Sequence, residues 1–279
     1  MKRQLEVDEE TRGLVGLLDP LTTVVSAAAA AILSARSGRL AVHAKPDDSP
    51  VTAADCAAEA AILEGIAGLL PGVSIVSEEA AGHAAPQALS AQFFLVDPLD
   101  GTRELVAGRD EFTINVALVC EGVPRLGIVA APVQGLLWRG IAGVGAERLQ
   151  FAPGTSGTAP RQGIAIRARP CPTSGLIAAI SRSHLDPLTE AFLANLPIAQ
   201  RVACGSALKF CQIAQGAADV YPRFSTTCEW DVAAGHALLV AAGGSISAPD
   251  GSPLEYGRIS ANFRVPAFIA WGARERGVV

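Results

Sequence analysis

A chain of 279 residues, half of them apolar and 18% charged, is long enough to bury a substantial core. Its net charge of -5 excludes the broad basic face that duplex nucleic acid selects, although a local cationic pocket could still hold a nucleotide. The longest apolar run, Leu21 to Leu33, contains Thr22, Thr23 and Ser26 and falls short of the ~20 residues that span a bilayer, so a buried helix is expected there.

In chain order, the acidic amino terminus, Met1 to Glu10, lacks the apolar core of an export signal, which makes the cytoplasm the expected compartment. Helices are predicted over about Leu18 to Ser34 and about Ala53 to Leu69, the second closed by Pro71-Gly72. Strands are predicted over Phe93 to Val96, Phe112 to Val119, Arg125 to Ala131 and Leu136 to Ile141. Short connections punctuated by Pro124, Pro132 and Gly143-Val144-Gly145 imply a mostly antiparallel sheet in a first lobe, residues 1–150.

The stretch from Phe151 to Pro160, rich in Pro, Gly, Ser and Thr, is the expected lobe boundary. Beyond it, in residues 151–279, strand-like runs (Leu176 to Ile180, Val220 to Tyr221) alternate with helical ones (Pro187 to Asn195, Ser206 to Gln215, Ala233 to Ala242), which suggests α/β layers. Six scattered cysteines without a Cys-x-x-Cys pair read as buried free thiols rather than a disulfide framework or a zinc site. No internal repeat is present.

The chemistry concentrates at Asp97-Pro98-Leu99-Asp100-Gly101-Thr102, directly behind the apolar Phe93-Phe94-Leu95-Val96. A strand ending at Asp97, a turn set by Pro98 and a permissive Gly101 would bring two carboxylates, the Leu99 carbonyl and a hydroxyl to one point, a set of hard oxygens suited to magnesium. Alone, the hexapeptide could be an ordinary turn. Further carboxylates at Asp55, Glu78, Glu79 and Asp231, each where an apolar run meets a loop or helix start, weigh against that reading. Asp231, just before the helix expected from Ala233, would alone be a helix cap more often than a ligand, and Lys209 could extend to the surface from an apolar helix.

At these residues the chain resembles the lithium-sensitive, magnesium-dependent phosphomonoesterases that include inositol monophosphatase and 3′(2′),5′-bisphosphate nucleotidase. The resemblance runs from about Lys45 to about Phe263. It is nearest to the CysQ-type nucleotidase branch through Asp48-Ser49-Pro50-Val51-Thr52-Ala53-Ala54-Asp55, the segment from Glu111 to Leu118, Ser181-Arg182-Ser183-His184, Gly205-Ser206-Ala207-Leu208-Lys209-Phe210 and Tyr221-Pro222-Arg223-Phe224.

The resemblance implies an α-β-α-β-α layered sandwich of α/β (α+β) class with the active site between two lobes. It implies two or three Mg2+ ions, held by Glu78, Asp97, the Leu99 carbonyl, Asp100 and Asp231, with Asp97 bridging. Thr102 would position or deprotonate the attacking water, oriented by Asp55; Glu78 counts among the catalytic groups, and Gly101, Thr102 and Asp231 would also touch substrate. His184, Ser206, Lys209 and Arg223 would recognise a nucleotide carrying a second phosphate. The reaction implied is hydrolysis of adenosine 3′,5′-bisphosphate to AMP and phosphate, extending to 3′-phosphoadenosine 5′-phosphosulfate, with lithium as inhibitor.

An inositol monophosphatase or fructose-1,6-bisphosphatase is the alternative, because the metal core does not separate these substrates. A catalytically silent metal or nucleotide sensor has no support, since every ligand is kept. Glu79 reads equally as a group behind the ligands and as a helix-start charge. His43, His83 and His236 lack a motif and read as structural. Three residues depart from the nucleotidase pattern: Arg103 and Leu105 in Arg103-Glu104-Leu105, which stands for Lys-Glu-Phe, and Ser77, which stands for a glycine. CysQ-type relatives further imply a cytoplasmic enzyme with loose peripheral association at the inner membrane face; oligomeric state is left open.

Overall fold

The computed structural model describes residues 9–37, 42–44, 50–81, 86–151, 163–182 and 186–273. Helix α1 (Glu9–Arg36) runs through Pro20 and is already formed at Glu9, well before the expected Leu18. By length and composition it could cross a membrane, yet Leu14, Leu21, Val25, Ala29 and Ile32 are buried against its neighbours, the arrangement of a core helix.

Strands β1 (Val42–Ala44) and β2 (Pro50–Thr52) form a hairpin that leads into α2 (Ala53–Leu69), as predicted from Ala53 to Leu69. There follow β3 (Ser74–Ser77), α3 (Glu78–Ala81), β4 (Gln92–Asp100), α4 (Thr102–Val106), β5 (Thr113–Cys120), β6 (Val123–Ala131), β7 (Leu136–Ile141), β8 (Gly145–Gln150) and β9 (Ile164–Ile166). These strands make a seven-stranded sheet in the order β3-β4-β5-β6-β7-β8-β9, antiparallel except for the parallel β3–β4 pair. The expected boundary at 151–160 lies almost wholly outside the described residues; β9, on its far side, completes this sheet.

The remaining elements are β10 (Leu176–Ser181), α5 (Pro187–Ala194), β11 (Ile198–Cys204), α6 (Leu208–Ala214), β12 (Val220–Arg223), β13 (Thr227–Cys228), α7 (Glu229–Ala241), β14 (Ser245–Ser247), β15 (Arg264–Val265) and β16 (Phe268–Trp271). A second sheet takes the order β11-β10-β12-β16-β14.

Side-chain alternation along β4 shows how the layers stack. Phe94 and Val96 point to the core shared with α1 and α2, whereas Phe93 and Leu95 point to the core shared with α6, α7 and second-sheet residues Tyr221 and Phe268. The far side of the second sheet packs Ala178, Val220 and Ile269 on Leu193 of α5. The result is the α-β-α-β-α sandwich. Because both faces of the first sheet are covered, its strands read as continuous apolar runs, not as an alternation. Close layer packing is visible at Gly127, where a Cβ would lie 2.2 Å from the Ala234 carbonyl oxygen of α7. None of the six cysteines is in a disulfide; Cys120, Cys204 and Cys211 are buried, but Cys56 is exposed, contrary to the expectation of buried thiols.

Candidate active site

The expected tight turn after Asp97 is instead the end of a strand. Pairing runs from Asp97 opposite Asn115 to Asp100 opposite Thr113, so β4 carries one extra residue, a bulge at Pro98-Leu99. In a regular strand residues three apart face opposite ways; the extra residue returns Asp100 to the α7 side that Asp97 already shares with Phe93 and Leu95. Pro98, lacking an N–H, suits a position where ladder bonding is broken. Gly101, at φ 102°, then starts α4, and a Cβ there would lie 2.6 Å from Ser206 Oγ.

Between the sheets lies a cavity of about 360 Å3 lined by Glu78, Asp97, Leu99, Asp100, Gly101, Thr102, Ser206, Lys209, Arg223 and Asp231, among others. Glu78 enters at the start of α3, just past the end of β3. Asp231 enters from α7, which begins at Glu229 rather than near Ala233; Asp231 is therefore the third helical residue, not the residue before the helix. Its Oδ2 accepts from the Cys228 N–H at 2.9 Å and from the Thr227 hydroxyl. One oxygen each from Glu78, Asp97 and Asp231 lie within 4.8 Å of one another.

Asp97 is 1% exposed, and its Oδ1 accepts from the Leu99 N–H at 3.0 Å while its buried Oδ2 has no hydrogen-bond partner. Burial, with Glu78, Asp100 and Asp231 adding repulsion, holds its carboxyl well above the usual carboxylate range. Asp100 is pushed up to about 6 by burial and by Asp231, with Lys209 and Arg223 opposing. An orphaned buried carboxylate oxygen facing two more carboxylates fits a divalent metal ion, which would supply the missing partner.

Asp55 is fully buried behind the cavity wall. It stands third in α2, where its Oδ2 accepts from the Thr52 N–H (2.8 Å) and hydroxyl (2.6 Å) in a capping box. Its Oδ1 accepts from the Thr102 hydroxyl at 2.9 Å, so the two residues form the hydrogen-bonded pair that the resemblance implied.

Lys209 does not extend to the surface. It is 2% exposed, donates from Nζ to the Ser206 carbonyl at 2.6 Å, and sits over the Tyr221 ring at 5.2 Å. Arg223 contacts the Tyr221 hydroxyl at 3.5 Å and the Ser225 and Thr226 carbonyls at 3.4 Å. The Ser206 hydroxyl lies 2.8 Å from the Asp100 carbonyl oxygen and 3.1 Å from that of Glu111, so its proton is committed to backbone. His184 and the neighbouring Ser183 lie outside the described residues, as does His83. His236 is structural as expected: buried, 2.9 Å from the Tyr256 hydroxyl. Glu79 is buried within α3.

Sequence reasoning assigned no role to Asn115, whose amide donates to Asp100 Oδ2 at 3.4 Å, or to Arg103 and Arg264, which also line the cavity. The signal for Asn115 was available: an amide inside the otherwise apolar run from Ile114 to Val119 must find a partner.

The sequence profile of the inositol monophosphatase family matches residues 17–269. The chain is 41% identical over 221 residues to a 3′(2′),5′-bisphosphate nucleotidase CysQ of Salmonella typhimurium, covering 76% of this chain and 81% of that protein. It is 39% identical over 243 residues to the protein of the same name from Escherichia coli, covering 86% and 94%. Among solved structures, CysQ from Bacteroides thetaiotaomicron, a bacterial member of the inositol monophosphatase family, superposes with a TM-score of 0.75 at 31% identity, over 92% of this chain and 97% of that one. An inositol monophosphatase from Anabaena superposes at 0.71 with 28% identity, over 94% and 92%.

Proposed function

The chain belongs to the inositol monophosphatase family, and we propose that within it this protein is a magnesium-dependent 3′(2′),5′-bisphosphate nucleotidase that releases the 3′-phosphate of adenosine 3′,5′-bisphosphate. The observation that carries this reading is that one cavity holds both the Glu78, Asp97, Asp231 cluster and the cations Lys209 and Arg223. A monophosphate substrate has no use for buried cations beside the metal site, whereas a second phosphate does. The identity to the nucleotidases above supports the same choice over the sugar and cyclitol phosphatases.

Glu78, Asp97, the Leu99 carbonyl, Asp100 and Asp231 would hold two or three magnesium ions. Bound there, the metal neutralises phosphoryl charge and makes water nucleophilic near neutral pH. The residues of this chain do the rest. Asp55, fixed at Oδ2 by its cap, accepts a hydrogen bond from the Thr102 hydroxyl on Oδ1. That orients Thr102 so that its oxygen lone pairs are free to accept a hydrogen bond from the attacking water. The Leu99 carbonyl, 3.3 Å away, is the weaker competitor for the same proton, because the carboxylate is charged and closer. Lys209 and Arg223 fix the non-reacting phosphate and so align the reacting one.

The test is phosphate release with magnesium from adenosine 3′,5′-bisphosphate, 3′-phosphoadenosine 5′-phosphosulfate, inositol 1-phosphate and fructose 1,6-bisphosphate. A preference of at least about a hundredfold in kcat/KM for the bisphosphorylated nucleotide is expected if two charge-assisted contacts are made to its second phosphate. A flat profile would refute the nucleotidase reading while leaving a metal phosphatase.

A further inference from the structure

Behind the wall that presents Lys209, the two sheets are joined by a compact set of polar contacts centred on a residue with no assigned role. Glu111, in the loop before β5, does not itself line the cavity. Its Oε2 accepts from the Gly205 N–H at 2.9 Å. Arg182, at the end of β10, grips the same carboxylate with both arms, Nε to Oε2 at 2.8 Å and Nη2 to Oε1 at 2.7 Å, and donates from Nη2 to the Ala203 carbonyl at 2.7 Å. A Cβ on Gly205 would stand 2.7 Å from the Glu111 carbonyl oxygen, so the two backbones meet with no room for a side chain.

The segment thus pinned carries both halves of the site. From Ser206, held at φ 51°, the hydroxyl reaches the Asp100 carbonyl and the carbonyl receives Lys209 Nζ. From Ala207 the N–H reaches Thr113 Oγ1 at 3.4 Å; Thr113 donates to Asn115 Oδ1 at 3.0 Å, and Asn115 donates to the Asp100 carboxylate. Asp100 and Lys209 are therefore tied to opposite sides of one short turn. The spacing between the metal cluster and the buried ammonium is only as fixed as that turn, and the charged anchor of the turn is Glu111.

We propose that Glu111 is a positioning residue for substrate selection: by clamping Gly205 it sets the distance from Asp100 to Lys209, and so favours substrates whose second phosphate stands at the matching distance from the reacting one. The proposal rests on the nucleotidase reading above, but it names a residue that touches neither metal ligand nor substrate. Arg182 is the partner that holds the carboxylate in place.

The test compares kinetics of wild type, Glu111→Ala and Glu111→Gln, with magnesium, on adenosine 3′,5′-bisphosphate and on adenosine 3′-phosphate, which has the same reacting group and no second phosphate. For Glu111→Ala, KM for the bisphosphate should rise about tenfold with kcat held within about threefold, while both constants for the monophosphate change less than about twofold. Glu111→Gln keeps an oxygen acceptor for Gly205 and should restore most of the selectivity. Should Glu111→Ala not fold, Arg182→Gln is read in its place, and a selectivity ratio lowered at least about threefold is expected. An unchanged ratio in the folded variants, or equal losses on both substrates, would overturn the proposal. A wild-type enzyme with no preference for the bisphosphate fails a different comparison and refutes the nucleotidase reading itself.

Discussion

Replacing Asp97 by asparagine should stabilise the metal-free protein and abolish its response to magnesium. Asp97 shares the cavity floor with Glu78 and Asp231, with one oxygen of each within 4.8 Å. At an effective dielectric of about 20, two unit charges at that separation repel by about 3.5 kcal/mol, and Asp97 faces two such neighbours. The carboxyl can escape by taking a proton, which at pH 7 costs about 4 kcal/mol for a group of ordinary affinity, so the penalty is capped near that value. Asparagine removes the charge, keeps an acceptor for the Leu99 N–H, and places an amide where the orphaned Oδ2 now stands. After a discount for imperfect amide geometry, a gain of about 2 kcal/mol is expected, or about 3 °C in Tm for a chain of this length. The assay is thermal denaturation with chelator and with magnesium. Wild type should gain Tm with the metal, as any ligand of the native state dictates, and Asp97→Asn should not. A variant that melts below wild type in chelator, or that still responds to magnesium, would refute the reasoning.

Thr102→Val should lower kcat by about 10²- to 10³-fold while leaving the magnesium-induced Tm gain intact, because it deletes the hydroxyl held by Asp55 without altering Glu78, Asp97, Asp100 or Asp231; kinetics and melts on the same preparation decide this. Asp231→Asn and Asp231→Ala should both be inactive but differ in stability: the asparagine retains an acceptor for the Cys228 N–H, whereas the alanine loses the cap and should be about 1 kcal/mol less stable by urea denaturation in chelator. His236, buried and neutral, titrates at about 4 instead of 6.5. The unfolded chain therefore binds more protons between those values, and stability is lost as pH falls from about 6.5 to about 4, by up to about 3 kcal/mol. His236→Gln should flatten the urea midpoint in that window; an unchanged pH slope would show that His236 is not its source.

What could be read from the sequence followed from how local each signal was. The helix from Ala53 to Leu69 was legible at its end because Pro71-Gly72 stops it; its start is fixed by the capping box of Thr52 and Asp55, which the structure shows. The strand from Leu136 to Ile141 was legible because turns flank it closely. The short strands β3, β13 and β15 were not, since two to four residues carry no period, and what makes them strands is their partner: β13 exists by pairing with β15 across the α7 connection. The same distinction governs the site. Asp97, Asp100 and Thr102 announce themselves as a contiguous motif. Glu111 and Asn115 have roles that depend on Gly205 and Asp100, and only the folded chain brings those together. Lys209 on an apolar helix could have faced either way; the Ser206 carbonyl and the Tyr221 ring that hold it inward come from the turn before α6 and from β12.

Two of the carboxylates share a construction that explains why residues so far apart in the chain can act as one rigid group. Asp55 and Asp231 are each the third residue of a helix, and each gives one oxygen to the N–H of the residue that caps it. A free aspartate on a loop would have to lose its rotamer freedom when it met a metal or a hydroxyl; these two have lost it already, to helix starts the fold requires in any case. The bulge in β4 does the equivalent for Asp97 and Asp100, turning both toward α7 through the backbone rather than through side-chain contacts. The repulsion gathered at Asp97 is thus held in place by elements whose stability comes from the buried cores on either side of the sheet. A site of this kind does not relax when its charges are unbalanced, and that rigidity would favour a divalent ion there: the ion would meet carboxylates already oriented and, at Asp97, already out of water, leaving chiefly its own dehydration to offset.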